Sequence, residues 1–327
     1  MAETGGVPRT SHPHARTKNC SPNGWAGAPS TGVPCGPSWP SRLGRCTISL
    51  AVTLQLANLF FAATVAVYLA ASTVFVAQLL GRAGSLAPWG PRLVMLGVPM
   101  HAAHIALWSI VLHVCPVEGI HFALSVVSLL ACVLYLVART RLSIDVVGAF
   151  VAPQALAFLL ASRFVGPVDD EPRWRSALLP FHVISNLLGA ALFTLAFAAA
   201  VAYLLQDGRL KHKQFDGADR LPAVDALDRA EHRFLAAGFP LLTIGVLTGT
   251  IWAREVEAGG AAMIARAALS YLLWALIGGV LLLRAAAGWR GRRAAFGTIL
   301  GFGLTMIVLA SYLAHSFFGG GLPRGHA

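Results

Sequence analysis

FHVISNLLGAALFTLAFAAAVAYLLQDGRLKHK, residues 181–213, decides the fold class. No charged residue stands between Val183 and Leu205. At about 1.5 Å per helical residue, that run is long enough to cross about 30 Å of hydrocarbon. Arg209, Lys211 and Lys213 follow at once, the basic punctuation expected where a membrane helix meets water.

The same pattern recurs outward in both directions. Of 327 residues 56% are apolar and 12% are charged, and mean hydropathy is +0.67. Ordinary soluble domains carry roughly 25% charge. Apolar spans are expected near 50–79, 93–114, 120–138, 144–164, 178–205, 233–253, 266–284 and 295–317. The expected fold is therefore all-α, a polytopic integral membrane helical bundle with about eight transmembrane helices. Gly and Ala are frequent within the spans, which suits close helix packing in lipid.

Residues 1–47 are read as a disordered Pro/Gly/Ser-rich tail, because that composition cannot bury enough surface to order itself. The tail also lacks the apolar core of a signal peptide, and a start site further downstream would make it an artefact. The membrane domain is expected over 48–318, with a short flexible tail over 319–327.

The net charge of +11 sits in short clusters between apolar runs, as topology places it, and this argues against a nucleic-acid binder. Connections after spans one, three, five and seven carry Arg82 and Arg92; Arg139 and Arg141; Arg209, Lys211, Lys213, Arg220 and Arg229; and Arg290, Arg292 and Arg293. The alternate connections are partly neutralised by Asp169, Asp170 and Glu171, and by Glu255 and Glu257. The positive-inside rule then puts the first set in the cytoplasm and both termini outside a bacterial inner membrane.

Polar residues at apolar depth are the informative ones in such a chain. His182 stands at the start of span five and His315 in the last turn of span eight, both at the outer edge. Two neutral imidazoles from different helices at one depth can ligate a haem iron from opposite faces. They can equally be interfacial histidines bonded to loops and lipid headgroups. Trp252 ends span six at the same edge, in LTGTIWAREVEAGG (247–260), where it is either a porphyrin-stacking indole or a member of the aromatic belt. The belt reading also covers Trp89, Trp108, Trp174, Trp274 and Trp289. Glu255 and Glu257 beyond Trp252 read as solvated loop charges.

His101 and His104, three apart on one face of span two, are placed towards the cytoplasmic half. Helix–helix hydrogen bonding is the favoured role for them, with a metal or second haem site as the alternative. His113 and His121 flank a short outer connection and read as interfacial anchors. Among the five cysteines there is no CxxC or CxxCH, so redox-pair chemistry and covalent haem attachment to this chain are not indicated. Cys115 and Cys132 are expected in the core. No GxSxG, HExxH, Walker-type or dinucleotide fingerprint stands in a suitable context. A transporter would need several ionisable groups facing one cavity, and the spans offer few besides histidine.

Four stretches carry a family resemblance. VDALDRAEHRFLAAGFPLLTIGVLTGTIWA (224–253) resembles the span that precedes the tryptophan-rich haem-handling motif of CcsA-type cytochrome c biogenesis proteins. FHVISNLLGAALFTLAFAAAVAYLLQDGRLKHK (181–213) resembles that family's first outer-edge histidine helix and the basic connection after it. RAAAGWRGRRAAFGTILGF (284–302) and SYLAHSFF (311–318) resemble its closing segments. The resemblance covers roughly 180–318 and is looser over 93–163.

It implies a membrane protein that binds or presents haem b at the outer face, with His182 and His315 as ligands of the haem iron and Trp252 beside them. It implies no catalytic residues of the protein's own. Haem, a partner subunit of the cytochrome c synthesis system, apocytochrome c and membrane lipid are the implied partners. The sequence also departs from the family. After Trp252 the tryptophan-rich motif ending in Asp-Pro-Lys-Glu is replaced by REVEAGGAAMIARAALSYLLWAL. A further family histidine in a Leu-His-x-Arg setting is replaced by leucine in LLLRAAAGW. These departures resemble the HemX- and YpjD-like members, which implies the alternative of a non-catalytic regulator or scaffold acting on tetrapyrrole biosynthesis at the level of glutamyl-tRNA reductase.

Overall fold

The computed structural model describes residues 40–112, 120–142, 144–164, 178–213, 222–255 and 261–318. Within these, the side chains of 40–50, 112, 120–121, 164, 178–179, 252–255, 261–262 and 312–318 lie outside the description. Eight helices follow in order: α1 (Pro40–Leu79), α2 (Trp89–Leu112), α3 (Ile120–Arg139), α4 (Gly148–Phe164), α5 (Leu178–Lys211), α6 (Val224–Glu255), α7 (Ala261–Ala287) and α8 (Arg292–Phe318). Each contains a stretch long and apolar enough to cross a membrane, and no strand occurs among the described residues. In lipid every backbone N–H and C=O must be satisfied within the protein, and a helix does this for itself. The protein is a multi-pass membrane helical bundle.

The helix with which the sequence reading began is the centre of the bundle. α5 packs against α6 most extensively and also against α3, α4 and α8. Small side chains make this possible, since Ala191, Ala196, Ala198, Ala199, Ala200 and Ala202 are all fully buried. Without a hydrophobic difference between lipid and helix surface, close backbone approach and dispersion hold such a bundle together.

Several expected boundaries change. α1 begins at Pro40, ten residues before the expected 50, so residues 40–47 of the expected disordered tail are helical. α5 continues to Lys211 and α6 begins at Val224, nine residues before the expected 233. The early turns of α6 are amphipathic: Leu227, Ala230 and Phe234 are buried, while Asp225 and Arg229 pair across one turn on the exposed side. Arg229, expected in the connection, is therefore helical. α2 likewise begins at Trp89 instead of 93, so His101 falls midway along it and His104 beyond the middle, away from the basic end.

The ends of α1, α3, α5 and α7 and the starts of α2, α4, α6 and α8 share one end of the bundle, called here the basic end. Ion pairs join its helix termini: Asp207 of α5 meets Lys211 at 3.0 Å and Arg292 of α8 at 3.2 Å. Deeper in, Arg284 of α7 grips Asp228 of α6 through both nitrogens, at 2.5 and 3.1 Å, each side chain only 9% exposed. The same carboxylate accepts the Gly291 N–H at 2.9 Å. Gly291 has φ +67° and any Cβ there would lie 2.6 Å from the Tyr203 hydroxyl, so glycine is required for this turn. One turn along α6, the fully buried Glu231 accepts the Thr298 hydroxyl of α8 at 2.5 Å.

α1 to α4 form the other flank. Gly97 of α2 lies against the Tyr68 ring of α1, and Gly148 of α4 against Phe75 and the Tyr135 hydroxyl. Cys132 is fully buried in this flank, as expected; Cys115 lies outside the described residues.

Candidate functional site

His182 lies on the second turn of α5, at the end of the bundle opposite the basic one, and is half-buried. Its ring is held by α6. Nδ1 lies 2.7 Å from the Gly245 carbonyl oxygen, and the ring rests on Gly249, where a Cβ would come within 2.5 Å of Cε1 and 2.8 Å of Nδ1. Gly245 and Gly249 are thus a Gly-x-x-x-Gly pair on the α6 face turned towards α5. Gly245 serves a second purpose, since a Cβ there would meet the Asn186 amide at 2.3 Å.

Asn186, one turn after His182, donates from Nδ2 to the His182 carbonyl at 2.8 Å. The same Nδ2 is 3.3 Å from both Nδ1 and Nε2. The amide nitrogen is thus within reach of both ring nitrogens, and its shortest bond is the one to the carbonyl.

His315 and Trp252 stand on described helices, and their side chains lie outside the description. The backbone still fixes their depth. α5 and α8 run antiparallel, with Asp207 paired to Arg292 and Phe197 stacked on Phe302 at 4.2 Å between ring centroids. Thirteen residues beyond Phe302, the same register brings His315 level with residue 184 of α5. His182 is two residues from that level, about 3 Å along the axis. Trp252 follows Gly249 by three residues, roughly one turn nearer the edge on the same side of α6. The three positions lie at the same end of α5, α6 and α8.

His101 and His104 form a separate polar cluster in α1–α3. His101 is fully buried, with Nε2 2.8 Å from the Ser125 hydroxyl and Nδ1 3.3 Å from the Tyr68 hydroxyl. His104 Nδ1 donates to the Ala57 carbonyl at 2.9 Å. The favoured helix–helix bonding role is what the structure shows. Both His101 nitrogens are engaged by protein, which leaves none for a metal. Among the described residues no group of three or more His, Cys, Asp or Glu is placed to hold a metal ion. His113 and the side chain of His121 lie outside the described residues.

The tryptophans divide. Trp89, half-exposed at the start of α2, carries the Arg92 guanidinium over its ring at 5.5 Å, and Trp289 carries that of Arg293 at 5.9 Å; both fit an interfacial belt. Trp108 instead lies under the Arg163 guanidinium at 5.1 Å, beside His104. Trp274 is mid-helix, where its indole N–H donates to Thr243 at 3.0 Å and its ring stacks on Phe239. It ties α7 to α6, and the belt reading does not hold for it. Trp174 and Glu257 lie outside the described residues, and Glu255 ends α6 as its last residue.

Sequence reading did not pick out Asn186, Gly245 or Gly249. The small-residue spacing in GVLTG and the i, i+4 spacing of His182 and Asn186 were the signals available.

Comparison with known proteins bears on these helices. Residues 114–317, more than half of the chain, match the family profile described as Cytochrome C assembly protein. Relatives named cytochrome c biogenesis protein CcsA include one from Guillardia theta, 27% identical over 216 residues, covering 59% of this chain and 70% of the relative. One from Chlamydomonas reinhardtii is 26% identical, covering 58% and 54%. One from Synechococcus sp. (strain JA-2-3B'a(2-13)) is 36% identical over 103 residues, covering 32% of this chain and 29% of the relative. The chain thus spans under a third of the length of that cyanobacterial relative. The matched profile contains α5 to α8 except for the last residue of α8, and with it both edge histidines and Trp252. The chain belongs to the Cytochrome C assembly protein family.

Proposed function

We propose that this protein is an integral membrane haem-handling factor of cytochrome c assembly, binding or presenting haem at the membrane face opposite the basic end. The observation that carries this reading is the hydrogen bond from His182 Nδ1 to the Gly245 carbonyl. Metal-ligating histidines characteristically donate one ring N–H to a carbonyl or carboxylate, leaving the other nitrogen to the metal. His182 has that arrangement at a membrane edge, on a helix whose register sets His315 at nearly the same depth.

The Nδ1 bond of His182, which leaves Nε2 unprotonated, supports a haem site at this edge. His182 through Nε2 and His315 from α8 would ligate the iron, and Trp252 would lie against the porphyrin edge. Bound haem supplies the iron and the vinyl groups that an apocytochrome CxxCH segment receives; the protein supplies ligands, orientation and a water-poor setting. Haem b is the type proposed, and apocytochrome c and a partner subunit of the synthesis system are the proposed partners. The positive-inside rule puts the basic end in the cytoplasm and the His182 edge outside a plasma membrane, with both chain termini on that outer side. The proposed domain division keeps 48–318 as the membrane domain, with tails over 1–47 and 319–327, the first of them ending in the opening turns of α1.

The test is genetic. Deletion of the gene should remove covalent haem staining from the cell's c-type cytochromes, and His182→Ala on a plasmid should fail to restore it. Normal staining in the deletion strain, with altered tetrapyrrole content, would overturn assembly in favour of the regulatory alternative.

A further inference from the structure

The contact between α5 and α6 at the distal end is more selective than helix packing requires. A carbonyl oxygen has only lone pairs, so the 2.7 Å contact of His182 Nδ1 with Gly245 requires the proton on Nδ1. In a neutral imidazole Nε2 is then bare and is an acceptor or ligand only. The Asn186 amide nitrogen lies 3.3 Å from both ring nitrogens, and its shorter bond, at 2.8 Å, is donated to the His182 carbonyl. Gly249 supplies the floor. Of the ring atoms nearest it, a Cβ would meet Cε1 at 2.5 Å, Nδ1 at 2.8 Å and Nε2 only at 3.5 Å. Any larger residue at 249 would therefore drive the ring off α6 and break the Nδ1 bond with it.

We propose that Gly245, Gly249 and Asn186 are positioning residues that fix His182 in the Nδ1–H tautomer and present Nε2 as a ligand for a porphyrin iron. The ligand class rests on the haem-handling reading above; the tautomer and the cradle do not. Gly249 acts through the space it leaves, Gly245 through its carbonyl and the absence of a side chain against Asn186, and Asn186 through its contacts with the ring and the His182 carbonyl. The α6 segment GVLTG thereby sets which histidine nitrogen is offered at this edge.

Two measurements on the full-length protein in detergent separate the cradle from the ligand. The first is ¹⁵N NMR of histidine-labelled protein prepared without haem, with His182 identified by the signals lost in His182→Ala. Nδ1 should be the protonated nitrogen and Nε2 the bare one. A protonated Nε2 with a bare Nδ1 would overturn the proposal whatever the protein binds. The second is haemin titration of the wild type, Gly249→Ala, His182→Ala and the double variant. Gly249→Ala should weaken binding about 10–100-fold, the usual effect of disturbing a ligand's outer partners. The double variant should bind no worse than His182→Ala, because the clash needs the imidazole. Gly279→Ala has open space around its Cβ and should match wild type, which controls for adding a methyl to a helical glycine. If His182→Ala weakens haemin binding and Gly249→Ala does not, the positioning proposal fails and the haem reading stands. If His182→Ala leaves binding unchanged, the haem reading fails while the NMR result still decides the tautomer.

Discussion

At the scale of the residue, Asp228 has more depending on it than any other described side chain. It takes both nitrogens of Arg284 and the N–H of Gly291, and so joins α6 to the end of α7 and the turn into α8. Breaking a buried pair leaves an uncompensated charge, which costs about 3–5 kcal/mol. Asp228→Ala should therefore lower the thermal midpoint in detergent sharply, whereas Asp225→Ala, whose pair with Arg229 is exposed, should barely change it. An equal effect of the two would contradict the assignment. His101→Leu should also destabilise, because it leaves the Ser125 and Tyr68 hydroxyls without the imidazole, at about 1–3 kcal/mol for each group orphaned. Haemin binding at the distal edge should survive that change, and its loss in a folded His101→Leu protein would mean the two histidine clusters are not independent.

The helices show what was legible in the sequence and what was not. Eight spans could be read because bilayer thickness demands long uncharged runs, and α2, α3, α4, α5 and α8 begin within four residues of the expected position. The start of α6 could not, because a half-exposed turn carrying Asp225, Asp228 and Arg229 looks like a connection until its partners on α7 and α8 are known. His182 and His315 were found because imidazoles are rare at such depth. Gly245 and Gly249 were not, because a glycine acts through the room it leaves and carries no chemistry of its own. Trp274 shares the belt reading only as one of a group of tryptophans that mostly fall near span ends, and its bond to Thr243 shows its role. The same steric logic gives a prediction at this scale. A Cβ at Gly97 would lie 2.3 Å from the Tyr68 ring. Gly97→Ala should cost about 1–3 kcal/mol by overpacking the α1–α2 contact. Gly279→Ala, with nothing within 4 Å, should be neutral or stabilise by up to about 1 kcal/mol through helix propensity. Thermal melts of the two variants check the opposite signs.

For the whole molecule, the architecture sets two ends of unlike character. One is tied by ion pairs among Asp207, Lys211, Arg292, Asp228 and Arg284. The other carries the α6 glycine cradle with His182 in it. If the basic end faces the cytoplasm, Gly208→Cys, in the last turn of α5 with open space about it and in a protein whose five native cysteines are replaced by serine, should react with a membrane-impermeant maleimide only after permeabilisation. Labelling of intact cells would reverse the topology and put the histidine edge inside.

The central claim, that the distal edge holds haem through His182 and His315, is tested most directly by the absorption spectrum of the purified protein titrated with haemin. The account predicts a Soret band characteristic of histidine-ligated haem at about one equivalent, weakened by His182→Ala and by His315→Ala alike. A protein that stays colourless and leaves haemin unbound, or a band that neither substitution changes, would contradict it.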